Sequence, residues 1–167
     1  KHAGEHSGFY LHDLTGLARK MMLLQEKNLP VILLGVTFAL LDFAETVGLD
    51  AGNSIVMETG GMKGRRKEML RKEVHDQLCQ QLEVDHIHSE YGMTELTSQA
   101  YSKGNGIFQE PFSMQLFIRE INDPFAVHQR QHLSGGVNII DLGNIDSCCF
   151  IETKDIGKRH ANGFEIL

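Results

Sequence analysis

The chain has 167 residues, enough for one hydrophobic core of ordinary domain size. With 41% hydrophobic and 23% charged residues, three prolines and no tryptophan, its composition is that of an ordinary globular protein and excludes intrinsic disorder. The formal charge of −6 is mild, and the largest basic cluster, Lys63 to Lys72, is interrupted by Glu68, followed by Glu73 and Asp76, and free of interleaved aromatics, which argues against a nucleic-acid partner.

The cluster reads instead as a solvated helix face, with Glu68 and Lys72 placed for a pair one helical turn apart. Three cysteines, Cys79, Cys148 and Cys149, form neither a metal spacing nor a disulfide framework, and suit a reducing cytoplasm. The vicinal pair reads as small apolar strand residues, with a reactive thiol site as the alternative. No apolar run is long enough for a transmembrane helix, and the opening Lys1-His2-Ala3-Gly4-Glu5 has neither a signal-peptide core nor an initiator methionine, as expected of a processed or cut piece.

In chain order, Asp13 caps a helix running through Leu17, Ala18, Met21, Met22 and Leu24 to a stop at Asn28-Leu29-Pro30. Val31 to Leu34 reads as a buried strand interrupted by Gly35. Phe38 to Val47 has helical spacing and ends at Gly48, and Ser54 to Glu58 is the next strand. After Gly60-Gly61, a helix is predicted from the stripe Leu70, Val74, Leu78 and Leu82. His86-Ile87-His88 is the third strand. Short apolar strands alternating with helices imply parallel pairing through crossover helices, hence an α/β class. Beyond Tyr101 the chain reads as mostly β: Met114–Ile118, Gly136–Ile140 and Cys148–Ile151 are predicted strands, separated by breaks at 122–124, 134–136 and 143–144. The expected organisation is an α/β adenine-binding portion over 1–110 and a β-rich portion of the same domain over 111–167.

Gly60-Gly61 lies between a predicted strand and a predicted helix, where an open α/β sheet presents ligands, although a plain tight turn has the same sequence. One unit later, Ser89-Glu90-Tyr91-Gly92-Met93-Thr94-Glu95 puts a flat aromatic ring, a hydroxyl and a carboxylate around one flexible glycine. Thr153-Lys154-Asp155-Ile156-Gly157 is predicted to close a strand and present a carboxylate at its end.

Tyr91-Gly92-Met93-Thr94-Glu95 resembles the Tyr-Gly-x-Thr-Glu signature of adenylate-forming enzymes, the superfamily of acyl-CoA synthetases, luciferases and nonribosomal-peptide adenylation domains. The Thr153–Gly157 segment resembles that superfamily's Thr-Gly-Asp element, with Lys154 where glycine is common, and Gly35-Val36-Thr37 looks like its acyl-pocket Gly-Val-Pro element. Together with Ile118–Pro124 and Asn138–Ser147, these segments resemble the LuxE acyl-protein synthetase branch, related to phenylacetate-CoA ligases, over about residues 30–167. The resemblance implies ATP and Mg²⁺ as cofactors. Gly60 and Gly61 would contact the adenine plane and Tyr91 would stack on it, with Gly92 and Met93 beside it. Thr94 would bond the α-phosphate, Glu95 would hold Mg²⁺, and Asp155 would bind the ribose; Thr94 and Glu95 are the catalytic candidates. The implied reaction is attack of a fatty or other carboxylate on the α-phosphate, giving an acyl-adenylate for transfer to a protein cysteine, or alternatively to CoA. The family's Ser/Thr/Gly-rich phosphate loop and its C-terminal domain with a catalytic lysine have no counterpart, so this stretch is expected to be the second half of the large domain, with little adenylation activity alone and a tendency to self-associate.

Two other readings stand beside it. His86-Ile87-His88-Ser89-Glu90 would put two imidazoles and a carboxylate on one strand face, a spacing a metallohydrolase could use. A non-enzymatic acyl- or protein-binding module is the second. Glu45, Glu58 and Asp42 have no partner that spacing alone can place, and Ser98 and Cys79 have no recognisable elbow or base.

Overall fold

The computed structural model describes residues 4–167, which form two compact units, 4–87 and 88–167. In the first, helix α1 (Leu14–Glu26) starts where the Asp13 carboxylate accepts the Gly16 N–H at 2.8 Å. Strand β1 (Ile32–Val36) leads directly into helix α2 (Thr37–Val47), which ends at a left-handed Gly48. Strand β2 (Ile55–Thr59) pairs parallel with β1, from Ile32 opposite Ile55 to Val36 opposite Thr59, so α2 is the crossover that parallel strands require. Gly35 does not interrupt β1, because its backbone stays in the ladder opposite Glu58.

Helix α3 (Arg71–Leu82) completes this unit. Its stripe is Val74, Leu78 and Leu82, which join Met21, Leu41, Phe43 and Val56 in one core. Leu70 lies outside it: it is the exposed N-cap, and its N–H donates to the Glu73 side chain at 3.0 Å. The basic segment is therefore no helix face, since most of it precedes the helix. Lys63 and Gly64, at φ 51° and 69°, turn the chain there, and Arg66 folds back onto α2 to grip Asp42 and Glu45.

The second unit is all β. Strand β3 (His88–Tyr91) begins two residues later than predicted and returns through a hairpin loop to β4 (Ala100–Ser102), so an antiparallel strand, not a helix, follows it. A five-stranded antiparallel sheet is built from β5 (Met114–Arg119), β6 (Val127–His128), β7 (Ser134–Asp141), β8 (Phe150–His160) and β9 (Gly163–Ile166), in the order β6-β5-β7-β8-β9. Its core is Leu116, Ile118, Val137, Ile139, Phe108 and Phe164. Ser134-Gly135-Gly136, expected as a break, lies inside β7, paired with Lys158, Gly157 and Ile156. β8 likewise continues through Thr153–Gly157, with a bulge at Thr153–Asp155 between the pairs Glu152–Asn138 and Ile156–Gly136, so Asp155 lies within the strand and not at its end; β8 starts at Phe150, after Cys148 and Cys149. The α/β class with a parallel pair and crossover helix in the first part and a β-rich second part is what the fold shows.

Candidate functional site

Alternation along β3 turns Tyr91 inward, where it is 9% exposed. The Phe164 ring meets it edge-on, centroids 5.4 Å apart at 80°, and Phe108 lies 5.9 Å away at 58°, both favoured aromatic geometries. The Tyr91 hydroxyl donates to Asp155 Oδ2 at 2.6 Å, joining two segments 64 residues apart. Burial first, and then the hydrogen bond and charge of Asp155, push the phenol far above the ordinary tyrosine range, so it stays a donor. The Asp155 backbone is held in turn: its N–H donates to Thr153 Oγ1 at 3.2 Å, and that hydroxyl donates to the Val137 carbonyl at 2.8 Å. One oxygen of Asp155 is thus committed to the tyrosine.

Tyr91 opens the loop from Gly92 to Gln99, in which Leu96 is buried and Thr94 and Glu95 are exposed. The loop is held by Asp141, the last residue of β7, and by Asn144 in the turn that follows it. Asp141, at 0% exposure, accepts from the Thr97 and Ser98 N–H groups at 2.8 and 2.9 Å, from the Ser98 hydroxyl at 2.6 Å and from the Gly143 N–H at 2.9 Å. Burial raises the pKa of this carboxyl, but the Ser98, Thr97 and Gly143 donors outweigh it and hold the group below the usual carboxylate range. Asn144 donates to the Glu95 carbonyl at 2.5 Å and bonds the Thr97 hydroxyl. Backbone position is therefore fixed while the Thr94 and Glu95 side chains face solvent.

In the first unit, Gly60 and Gly61 take φ 104° and 72° at the end of β2, values that favour glycine. The Gly61 N–H donates to Thr37 Oγ1 at 3.0 Å, and that hydroxyl donates to the buried Glu58 at 2.7 Å. His75 at 3.7 Å and Arg71 at 4.0 Å face the other Glu58 oxygen. The glycine turn is thereby tied to the first residue of α2. The structure brings Tyr91 and Asp155 into contact, places Gly92, Met93, Thr94 and Glu95 on one clamped loop, and sets Gly60 and Gly61 in the other unit.

His86 precedes β3, whose first residue is His88. Among the described residues no three His, Cys, Asp or Glu side chains converge as a metal nest. The same residues contain no helix long and apolar enough to cross a membrane.

No family model and no curated protein sequence matches the chain. Solved structures do. ATP-bound MatB from Rhodopseudomonas palustris superposes with a TM-score of 0.68 at 13% identity, over 96% of this chain and 34% of that one. The Bacillus subtilis O-succinylbenzoate coenzyme A synthetase MenE, in complex with ATP and a magnesium ion, gives 0.60 at 13% identity over 93% and 34%. The N-terminal subdomain of Klebsiella oxytoca NpsA, in complex with 3-hydroxyanthranilyl-AMSN, gives 0.60 at 14% identity over 94% and 43%. The fold is shared with about a third to two-fifths of the length of MatB, MenE and NpsA. At these identities the likeness concerns architecture, and the chain spans about a third of the length of MatB and MenE.

Within this fold, two anchors escaped the sequence reading. Asp141 and Asn144 had a local signal, since Asp-Leu-Gly-Asn is an Asx-turn sequence and Asp141 does bond the Gly143 N–H. Their distant partners had none. The second is Glu110, whose Oε1 accepts from Arg159 at 2.6 Å and from the Leu116 N–H at 2.6 Å, bracing β5 against β8. Nothing in the spacing of those residues announces the pair.

Proposed function

We propose that this chain is the adenosine-recognising part of an ATP-dependent ligase that activates a fatty or other carboxylic acid as an acyl-adenylate and passes the acyl group to a protein thiol, in the manner of LuxE-type acyl-protein synthetases. The observation that carries the reading is the Tyr91–Asp155 hydrogen bond, which unites two of the motif segments on a fold shared with ATP-bound structures. The tyrosine holds the carboxylate in place, and Asp155 Oδ1 accepts from the ribose hydroxyls. Gly92 and Met93 stand beside Tyr91. Thr94 donates to the α-phosphate.

Glu95 fits a Mg²⁺ ion bound together with the nucleotide: it is an exposed hard carboxylate on a loop whose backbone is pinned by Asn144, and Mg²⁺ commonly takes only one or two protein ligands. When bound, the ion supplies neutralisation of phosphate charge. The chain's own contribution is placement of the nucleotide, since proximity and fixed dipoles carry most of the barrier reduction in such transfers. An acyl-CoA synthetase is the second reading, favoured by the likeness to MenE, a coenzyme A synthetase by name.

Calorimetric titration of the chain with AMP and with Mg-ATP tests the assignment. Asp155→Asn is expected to weaken AMP at least tenfold, about 1.4 kcal/mol, while Glu95→Gln weakens Mg-ATP and leaves AMP unchanged. No AMP binding by the wild type, or equal binding by Asp155→Asn, overturns the reading. Acceptor choice is then read by trapping the acyl group on protein thiol or on CoA with a protein that includes this chain.

A further inference from the structure

We infer that Cys148 and Cys149 form a vicinal dithiol modification site that a hydroperoxide closes to a disulfide, and that closure loosens the clamp on the Glu95 loop. Within a β-strand, adjacent side chains point to opposite faces, so vicinal thiols cannot meet. These two lie between Ser147 and Phe150, outside the regular strand. Cys148 is exposed and Cys149 half-buried, both as free thiols. Cys79 is the internal contrast: burial first, with Asp76 and Asp85 beside it, pushes its thiol pKa up and keeps it a poor nucleophile.

The connection that carries the pair is the same segment that holds the loop. The Asp141 N–H donates to the Cys149 carbonyl at 2.8 Å, the Ser147 N–H donates to the Asn144 carbonyl at 3.0 Å, and Asn144 holds the Glu95 carbonyl. The reduced Cys148 Sγ also donates to the Phe150 carbonyl at 3.5 Å, a bond that needs the thiol hydrogen. In the reaction, the Cys148 thiolate attacks one oxygen of hydrogen peroxide, the O–O bond breaks, and Cys148 becomes a sulfenic acid with release of one water. Cys149 sulfur then attacks Cys148 sulfur, the S–O bond breaks and a second water leaves. Two thiols give up two electrons and two protons, and one peroxide takes them. Closing so small a ring fixes the backbone dihedrals of both cysteines and turns the Cys149 carbonyl away from Asp141.

Limiting hydrogen peroxide and peptide mass mapping test the site on the whole chain. The peptide carrying both residues is expected to lose the mass of two hydrogens, reversibly with dithiothreitol, in wild type and Cys79→Ser. Cys148→Ser and Cys149→Ser retain that mass, and Cys149→Ser accumulates a dimedone-trappable sulfenic acid. Phenylarsine oxide, which joins two thiols with loss of water, is retained by wild type and Cys79→Ser and by neither single variant. First oxidation at Cys79, intermolecular dimers in place of the internal bond, or failure to retain phenylarsine oxide overturns the dithiol. Exchange of the Asp141 amide hydrogen is expected to quicken at least tenfold on oxidation, and unchanged protection overturns the link to the clamp. Neither readout involves nucleotide, so failure here leaves the adenosine assignment untouched.

Discussion

Replacing Asp141 by asparagine keeps the shape of the most connected buried side chain in the second unit and removes its charge. The aspartate meets four donors: two N–H groups on Oδ2, and the Ser98 hydroxyl and Gly143 N–H on Oδ1. In the cheaper asparagine orientation the amide nitrogen takes the Oδ1 place. The Ser98 hydroxyl can turn and accept from it, but the Gly143 N–H then faces a donor. One buried N–H loses its acceptor, and the Thr97 and Ser98 bonds become neutral, for a total cost of about 2–4 kcal/mol. The cost depends on pH in a defined direction. Because the carboxyl pKa is lowered by folding, its stabilisation is complete above the ordinary aspartate value of about 3.9 and fades as pH falls through the folded-state value. Urea unfolding followed by tyrosine fluorescence, convenient in a chain without tryptophan, measures the difference. Wild type and variant should differ at neutral pH and converge in acid, with Thr97 and Ser98 amide exchange faster in the variant. A neutral-pH difference below about 0.5 kcal/mol, or one that persists unchanged in acid, refutes the account.

Three further outcomes follow from the same geometry. Tyr91→Phe removes one buried hydrogen bond and should cost about 1–2 kcal/mol in urea unfolding. Since folding raises the Tyr91 pKa, its contribution is complete below about pH 10 and is lost above it, so an ultraviolet tyrosinate titration should show Tyr91 ionising only as the second unit unfolds. Gly163→Ala places a Cβ 2.1 Å from the Phe108 carbonyl oxygen at φ 148°, which should cost about 3 kcal/mol or more and lower the melting temperature by several degrees. Arg66→Ala opens the grip on Asp42 and Glu45; both carboxylates are well exposed, so the loss should be under about 1 kcal/mol and shrink further in high salt.

The helices of this chain could be read locally because their punctuation is local: Asp13 before α1, Pro30 after it, and Gly48 closing α2. The β-α-β order of the first part followed from the same signals. The second unit was harder. Ser134, Gly135 and Lys158 look like turn or surface residues, yet they sit in long strands because neighbouring backbones claim their hydrogen bonds, and Lys154 and Asp155 are carried inside β8 at its bulge. The β8–β9 hairpin turns through Ala161-Asn162, between the paired His160 and Gly163. For the site, the motif segments were visible, whereas Asp141 acts on Thr97 and Ser98 from 44 and 43 residues away, a pairing no local pattern encodes.

That long reach sets an order of events during synthesis. The Gly92–Gln99 loop emerges from the ribosome well before the carboxylate that fixes it, and strand β7 must already be laid against β5 for Asp141 to arrive. Until then the segment bearing Thr94 and Glu95 is chain without a mould, so in a nascent protein halted before residue 141 that loop would lack its buried anchor.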